Sequence, residues 1–303
     1  MLRVVFMGTP EYAAVILRAL LQAPDVEVVG VCTQPDKVRS RRAAKTPSPV
    51  KSALPPDFAG ALLQPARLRD AEAIGAIRAL APQLLIVAAY GRILPQEVLD
   101  IAPCYNLHAS LLPRYRGASP IQQALLSGDS VTGVSLMRMN AQMDCGEWVA
   151  QSVVHIGEQD ACALFETLSA AAAALLLDSL PRLPRLRPLA QLDADASRCQ
   201  KIAKADGLVH FSDAAEIVRK IRAYSLFPHV FLESGLKLKS AQVVETHGAH
   251  TSGEILEVAK DGVVVGCARG ALLLQTVQPP SKNAMSAVAY LNGKRLQCGD
   301  CFF

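Results

Sequence analysis

Residues 2–33, LRVVFMGTPEYAAVILRALLQAPDVEVVGVCT, decide the fold class. The stretch opens with an uninterrupted apolar run, LRVVFM, breaks at GTPEY, and continues with AAVILRALLQ, whose apolar residues recur with a helical period. A second apolar run, VEVVGVCT, follows at 26–33. A strand, a helix and a strand in this order favour a parallel sheet covered by helices, because parallel strands need a long crossover connection.

The same alternation resumes after a long loop at residues 34–50. The helices and strands that we predict beyond it are a helix at 71–81, strands at 84–90 and 105–108, a short helix from Ser119, strands at 132–139 and 148–156, and a long helix at 161–180. This succession predicts an α/β domain over residues 1–180, with a Rossmann-like parallel sheet. The first turn carries only Gly8, so it lacks the glycine pattern of a dinucleotide site.

Composition changes after residue 180. The stretch PRLPRLRPLAQLDADAS, residues 181–197, has three prolines and several charges, which is typical of an interdomain connection. We therefore predict a linker at 181–205. Beyond it lie short apolar runs separated by glycine-containing turns, together with one helix at 213–224, and the KDG turn between two apolar runs indicates a hairpin. These features predict a small β-barrel domain over residues 206–303.

Charge is distributed unevenly along the chain, although its sum is only +4. The six cations between Lys37 and Pro56, with no acid among them, are Lys37, Arg39, Arg41, Arg42, Lys45 and Lys51. Such a cluster fits a polyanionic partner, and it equally fits a solvated loop. The sequence by itself leaves both interpretations open.

Membrane and metal functions find little support in the sequence. The longest apolar block is interrupted by Asp178 and is shorter than the roughly 20 residues that a span requires. MLRVVFM resembles a strand more than a signal peptide, so we expect a cytoplasmic protein. Eight scattered cysteines fit a reducing compartment, and the Cys298 to Cys301 pair lacks companion ligands, so we predict no metal.

NLHASLLPRYRG, residues 106–117, is the first candidate site. Asn106 and His108 alternate along the end of a predicted strand, so their side chains share one face of it. They could be core residues, or they could donate hydrogen bonds to a carbonyl oxygen that becomes an oxyanion. Asp144, just before Gly146, could be a turn residue or the acid that sets the charge of His108.

The stretch NLHASLLPRYRGASPIQQALLSGD resembles the signature of the folate-dependent formyltransferases, an Asn-x-His followed by a Ser-Leu-Leu-Pro loop and an Arg-Gly pair. The further stretches that resemble this family follow in order through both predicted domains: FMGTPEYAA (6–14), TQPDK (33–37), PSPVK (47–51), VAAYGRILP (87–95), MDCGE (143–147) and AMSA (284–287). The resemblance implies transfer of a formyl group from 10-formyltetrahydrofolate to the α-amino group of methionine on initiator methionyl-tRNA, for translation initiation. It implies no metal, no membrane and a monomer.

The family's functional positions carry over residue by residue. The resemblance implies that Asn106, His108 and Asp144 are catalytic, with Asp144 holding the His108 ring protonated. It implies that the loop Ser110, Leu111, Leu112 and Pro113 contacts the folate, and that Tyr90 and Gly91 border the pterin pocket. Its tRNA-contacting insertion corresponds to the basic loop, with Lys37, Arg39, Arg41, Arg42 and Lys45, and its second domain to an OB-like barrel.

One departure from the family pattern concerns the loop that carries Asp144. The usual Met-Asp-x-Gly-x-Asp-x-Gly reads Met-Asn-Ala-Gln-Met-Asp-Cys-Gly at 139–146, so the first acid and the first glycine are replaced. Two other functions stay open. One is formyl transfer to a small amine, or release of formate, which would share the catalytic residues without needing the basic loop. The other is a non-catalytic RNA-binding protein built on a decayed enzyme.

Overall fold

The structure is a computed structural model and describes residues 1–38, 45–246 and 250–302. The chain divides into two compact units. The first consists of Met1–Pro120, Val131–His155 and Phe165–Cys199, and the second of Ile121–Ser130, Ile156–Leu164 and Gln200–Phe303. The domain bounds 1–180, 181–205 and 206–303 stay a prediction.

The strands of the first unit begin and end as follows: β1 Leu2–Gly8, β2 Val26–Cys32, β3 Lys37–Val38, β4 Lys45–Thr46, β5 Ala61–Leu63, β6 Leu84–Ala88, β7 Cys104–His108, β8 Arg116–Gly117, β9 Val131–Arg138, β10 Trp148–His155 and β11 Arg198–Cys199. The helices of the chain up to residue 179 are α1 Glu11–Leu21, α2 Pro49–Ser52, α3 Ala71–Ala79, α4 Gln96–Leu99, α5 Pro120–Ser127 and α6 Ala161–Ser179.

Within the described residues, a seven-stranded sheet forms the centre of this unit in the order β10-β9-β7-β6-β1-β2-β5. The five strands from β7 to β5 are parallel, but β9 runs antiparallel to β7 and β10 antiparallel to β9. The predicted α/β class is therefore confirmed for a mixed sheet, whereas the purely parallel sheet was wrong. The connection from β9 to β10 has too few residues for the crossover that a parallel pair needs.

The centre of the sheet is apolar on both faces, as a covered parallel sheet requires. Val4, Val5, Phe6 and Met7 of β1 are all completely buried. Alternate residues of a strand share one face, so Val5 and Met7 join a single core cluster with residues of β2, β6, α3 and α4. This packing fixes the strands whose carboxyl ends carry the candidate site.

The second unit contains the remaining elements. Its strands and helices are β12 Val230–Phe231, α7 Ala214–Ala223, β13 Lys237–Val244, β14 Ile255–Ala259, β15 Gly262–Gly266, β16 Ala271–Gln278, β17 Met285–Ser286 and α8 Ala287–Lys294. The strands form one antiparallel sheet in the order β12-β13-β16-β15-β14, with β17 beside β16. The hairpin predicted at KDG is present, with Ala259 paired to Gly262. The prediction of a mainly β second half is confirmed at the level of this sheet.

One helical stretch, residues 161–185, is long and apolar enough to cross a bilayer by length and composition. Leu168, Ala172 and Leu176 on this stretch are buried inside the protein. A core helix of a folded unit passes the same test, so this stretch is weak evidence for a membrane span.

Candidate active site

The candidate site lies at the carboxyl ends of the central strands. The strand order reverses between β1 and β6, since β2 and β5 follow on one side and β7 on the other. Ligands of open α/β sheets bind at such a reversal. The hydroxyl of Thr9, after β1, donates to the carbonyl oxygen of Tyr90, after β6, at 2.9 Å. The two turns at the reversal are therefore joined.

Asn106, His108 and Asp144 lie side by side at this edge. The amide nitrogen Nδ2 of Asn106 is 3.5 Å from Oδ1 of Asp144, and Nδ1 of His108 is 3.7 Å from the same oxygen. Asn106 and His108 are alternate residues of β7, as their spacing predicted. The structure thus brings together an amide donor, an imidazole and a carboxylate that are up to 38 residues apart in the chain.

The backbone around Asp144 is unusual. Its φ is +54°, in the left-handed region that non-glycine residues seldom adopt. The other carboxylate oxygen, Oδ2, accepts a hydrogen bond of 2.9 Å from the backbone N–H of Gly117. A Cβ on Gly117 would lie 2.1 Å from the carbonyl oxygen of Cys199, so only glycine fits there. Asp144 is therefore held in one orientation by the Arg-Gly pair of the signature stretch.

The His108 ring has only one nitrogen available to a ligand. Nε2 lies 2.9 Å from the carbonyl oxygen of Tyr115, which can only accept, so this nitrogen carries a proton and donates. Nδ1 faces Asp144. His108 is buried, and its Nε2–H is already bonded to Tyr115. A donation to a substrate oxygen can therefore come only from Nδ1, which carries a hydrogen only when both ring nitrogens are protonated.

The predicted folate loop, Ser110–Pro113, is hydrogen-bonded to side chains of the strands β9 and β10. The hydroxyl of Ser135, on β9, donates to the carbonyl oxygen of Ser110 at 2.7 Å and accepts from the backbone N–H of Leu112 at 2.9 Å. Gln151, on β10, donates to the carbonyl oxygen of Leu112 at 2.9 Å. The hydroxyl of Ser110 donates to the carbonyl oxygen of Arg114, so it shapes the loop and is itself fully buried.

Ser135 and Gln151 were not among the predicted site residues. The signal for Ser135 was a hydroxyl in the middle of the apolar strand TGVSLMRM, since a buried polar group in a strand needs a partner. Gln151 gave no comparable signal. Among the other predicted folate residues, Leu111 is half-buried, and Leu112 is buried before a cis peptide bond to Pro113.

Tyr90 and Gly91 lie at the turn after β6. The Tyr90 side chain is buried, with its hydroxyl 3.3 Å from Sγ of Cys32, and burial raises the pKa of both groups, that of Cys32 to about 11. The phenol therefore belongs to the core, while the exposed Gly91, with φ of +83°, is the part of the turn open to solvent.

A cavity of about 680 Å³ opens beside the loop that carries Asp144. Its polar lining comes from α4 and the residue after it, from the end of β9 and the loop that follows, and from the residue before β10: Gln96, Asp100, Arg138, Asn140 and Glu147. Cys104, the first residue of β7, also lines it. The segment 138–147 is thus shared between the cavity and the three-residue cluster.

Within the basic loop 34–51, the residues that the structure describes are held by strand pairing and by side-chain contacts. Lys37 pairs with Thr46 and Val38 with Lys45 in a short antiparallel hairpin, β3 and β4. Beneath it, the ammonium of Lys51 lies 2.7 Å from Asp36, and Gln64 donates to the same carboxylate at 2.7 Å. Arg39, Arg41 and Arg42, predicted to bind tRNA, lie outside the described residues.

Comparison with known proteins shows the family to which the chain belongs. The formyl transferase family model matches residues 2–177, and the model of the formyl transferase C-terminal domain matches residues 201–295. A solved N-formyltransferase from Helicobacter canadensis, in complex with folinic acid and dTDP-3-aminofucose, covers 91% of this chain and 99% of its own, with a TM-score of 0.66 at 16% identity. At this identity the likeness concerns the fold alone. The chain belongs to the formyl transferase family.

Sequence relatives identify the branch. A protein of a Nitratiruptor species named methionyl-tRNA formyltransferase is 52% identical over 304 residues, 100% of each chain. A protein of Wolinella succinogenes with the same name is 51% identical over 307 residues, again 100% of each chain. The resemblance inferred from the sequence motifs is thereby confirmed over both units.

Proposed function

We propose that this protein transfers the formyl group of 10-formyltetrahydrofolate to the α-amino group of methionine on initiator methionyl-tRNA, as a cytoplasmic monomer. The observation that carries the proposal is the meeting of Asn106, His108 and Asp144 at the carboxyl edge of the sheet, with both polar nitrogens within 3.7 Å of Oδ1 of Asp144. The acceptor is inferred from relatives of that name at 52% and 51% identity over the full chain.

The chemistry starts with the acceptor amine, which must be neutral when it attacks. Asp144 takes one proton from the methionyl ammonium as the nitrogen bonds to the formyl carbon. The electron pair of the formyl C=O moves onto oxygen, giving a tetrahedral oxyanion. When the C=O reforms, the bond from the carbon to the folate nitrogen breaks. That nitrogen takes the proton held by Asp144, and the second proton of the attacking nitrogen passes to solvent.

Asn106 and His108 stabilise the oxyanion. Nδ2 of Asn106 has two hydrogens, so one can face Asp144 while the other donates to the oxyanion. His108 donates through Nδ1 as the imidazolium, since its Nε2 is bonded to Tyr115. Removing one such donor typically costs on the order of 3 kcal/mol of transition-state stabilisation.

The folate donor occupies the edge between Gly91 and the loop Ser110–Pro113. Leu111 and the backbone of that loop supply the contact, whereas Ser110 and Tyr90 act by shaping the wall, because their side chains are buried.

The tRNA is held by charge. Lys37 and Lys45 stand at the base of the hairpin, and Arg39, Arg41 and Arg42 between them are proposed to contact phosphates. The antiparallel sheet of the second unit is proposed to be an OB-like barrel that contributes a further tRNA surface.

The deciding experiment is a formylation assay with charged initiator tRNA, run beside an amino sugar nucleotide and glycinamide ribonucleotide as acceptors. We expect formyl transfer to the tRNA only. Asn106→Ala and Asp144→Asn should each lower kcat by roughly 100-fold or more. Activity on a small amine alone would overturn the acceptor, and an unchanged rate in Asp144→Asn would overturn the role of that acid.

A further inference from the structure

A glutamine in the predicted linker reaches the loop that carries Asp144. Nε2 of Gln191 donates to the carbonyl oxygen of Asp144 at 2.9 Å and to that of Gly146 at 2.6 Å. Its Oε1 accepts from Nε of Arg116 at 2.8 Å. Both amide hydrogens and the amide oxygen of this one side chain are therefore engaged inside the first unit.

The two carbonyl oxygens that Gln191 binds flank an unfavourable backbone. Asp144 has a φ of +54°, and such a conformation persists only where its surroundings hold it. Among the described residues, no strand ladder contacts the segment between β9 and β10 at this point, since β9 ends at Arg138 and β10 begins at Trp148. The Gln191 side chain thus gives the backbone at Asp144 hydrogen bonds that the sheet does not provide.

Arg116 links this contact to the other side of Asp144. Its buried guanidinium forms a salt bridge of 2.9 Å with the exposed carboxylate of Asp193, two residues beyond Gln191. The next residue, Gly117, donates its N–H to Oδ2 of Asp144. Gln191 therefore ties the backbone of Asp144 to the strand that orients the carboxylate of Asp144.

Gln191 is itself fixed by the main chain on both sides. Before it, Leu189 and Trp148 exchange backbone hydrogen bonds of 2.9 and 3.1 Å. After it, Ser197 accepts the backbone N–H of Tyr115 on its hydroxyl and that of Arg116 on its carbonyl, each at 2.9 Å. The side chain is thus presented from a rigid segment, as a precise support requires.

We propose that Gln191 is a positioning residue of the reaction, which acts by fixing the backbone of Asp144 so that its carboxylate faces Asn106 and His108. The inference rests on the proposed function, since it assigns Gln191 a role through Asp144. Because protein groups engage its whole amide, Gln191 acts in this proposal without contacting the substrates. Its removal should therefore lower the rate of transfer without weakening tRNA or folate binding.

The test compares Gln191→Glu and Gln191→Ala with wild type. The glutamate keeps an acceptor for Arg116 but loses both donors and brings a negative charge against two carbonyl oxygens. We expect kcat to fall roughly 10-fold to 100-fold, as when the partners that orient a functional group are removed, with KM for both substrates within about 2-fold of wild type. Gln22→Glu, at an exposed glutamine of the same unit, is the matched control and should leave kcat unchanged.

A double variant separates this role from a general structural one. In Asp144→Asn, followed by single-turnover kinetics, adding Gln191→Glu should cause little further loss, because the carboxylate that Gln191 orients is already absent. Losses that multiply in the double variant, or a kcat near wild type in both single Gln191 variants, would overturn the inference. If Gln191→Ala does not fold, Gln191→Glu and Gln191→Asn carry the comparison. A fully active Asp144→Asn alone would instead overturn the proposed function.

Discussion

At the scale of single residues, the site depends on backbone geometry as much as on reactive groups. Asp144 adopts a left-handed φ, and its carboxylate is oriented by the N–H of Gly117, whose own φ is +125°. At position 117 any residue other than glycine would place its Cβ too close to Cys199 and would have to adopt an unfavourable positive φ. The glycine of the Arg-Gly pair is therefore a structural requirement of the acid's orientation.

Gly117→Ala should abolish most of the activity and lower stability. The added Cβ would lie 2.1 Å from the carbonyl oxygen of Cys199, so the β8–β11 pair must separate and the N–H that holds Asp144 must move. Steady-state kinetics and thermal unfolding measure both effects. Gly75→Ala, in the middle of α3 with open space around it, is the control and should raise stability by about 0.5 to 1 kcal/mol. A fully active Gly117→Ala would contradict this account.

The sequence predicts the chemical groups of the site better than their supports. Asn106 and His108 follow from strand periodicity, and the family resemblance adds Asp144. Gln191 could not be found in this way, because its role depends on a return of the chain from beyond α6 that no local pattern encodes. Its neighbourhood, rich in proline and charge, indicated a linker instead.

At the scale of elements, the periodic segments were predicted well and the short ones were not. The apolar runs at 2–7, 26–33 and 84–90 are central strands, because burial on both faces leaves a strong signal in composition. The three-residue strand β5 was missed, since so short a run has no measurable period. The antiparallel direction of β9 and β10 was also missed, as direction follows from connection length and not from strand composition.

Ser135→Ala should loosen the loop Ser110–Pro113 from the sheet. The change leaves buried groups of Ser110, Leu112 and Gln151 without their partner, which costs about 1 to 3 kcal/mol. KM for the folate donor should rise more than KM for tRNA. The midpoint of unfolding should shift to a lower denaturant concentration. The matched control in the same strand is Thr132→Val. Thr132 Oγ1 is buried and has no hydrogen-bond partner among the described residues, so this change should be neutral or stabilising.

The start of α7 should make the second unit sensitive to acid. Asp213 accepts the backbone N–H of Glu216 at 2.9 Å, and this bond, with Arg269 nearby, lowers the pKa of the carboxyl. A lowered pKa means that the stabilisation is present above the pKa of the unfolded chain and is lost as pH falls through the folded value. Asp213→Asn keeps a capping oxygen that does not titrate, so its stability at acid pH should fall less steeply than that of wild type. Denaturant unfolding at neutral and at acid pH measures the difference, and parallel curves would contradict it.

At the scale of the whole molecule, two family models cover residues 2–177 and 201–295, and a relative at 52% identity aligns with the full chain. The solved N-formyltransferase with a nucleotide sugar covers 91% of this chain, so the likeness in fold extends over both units and does not separate the two acceptors. We propose that the basic hairpin is the part that adapts the shared fold to a nucleic acid.

Binding of tRNA should be strongly dependent on salt. Lys37→Ala and Lys45→Ala should each raise KM for tRNA and reduce the slope of log KM against log salt by roughly 1, because we propose that each lysine makes one phosphate contact. KM for the folate donor should not change. Arg78→Ala, at an exposed cation in the last turn of α3, is the control of equal charge. Equal salt slopes in all variants would exclude the hairpin from the tRNA interface.

The return of residues 189–199 to the first unit has a consequence for biosynthesis. The ribosome completes Asn106, His108 and Asp144 well before it reaches Gln191, Ser197 and Cys199, which support them. A nascent chain that ends after α6 contains every reactive group but lacks the segment that orients the acid. The enzyme should therefore acquire its activity late in its own translation, after residue 199 has been added, and a chain truncated near residue 180 should remain inactive.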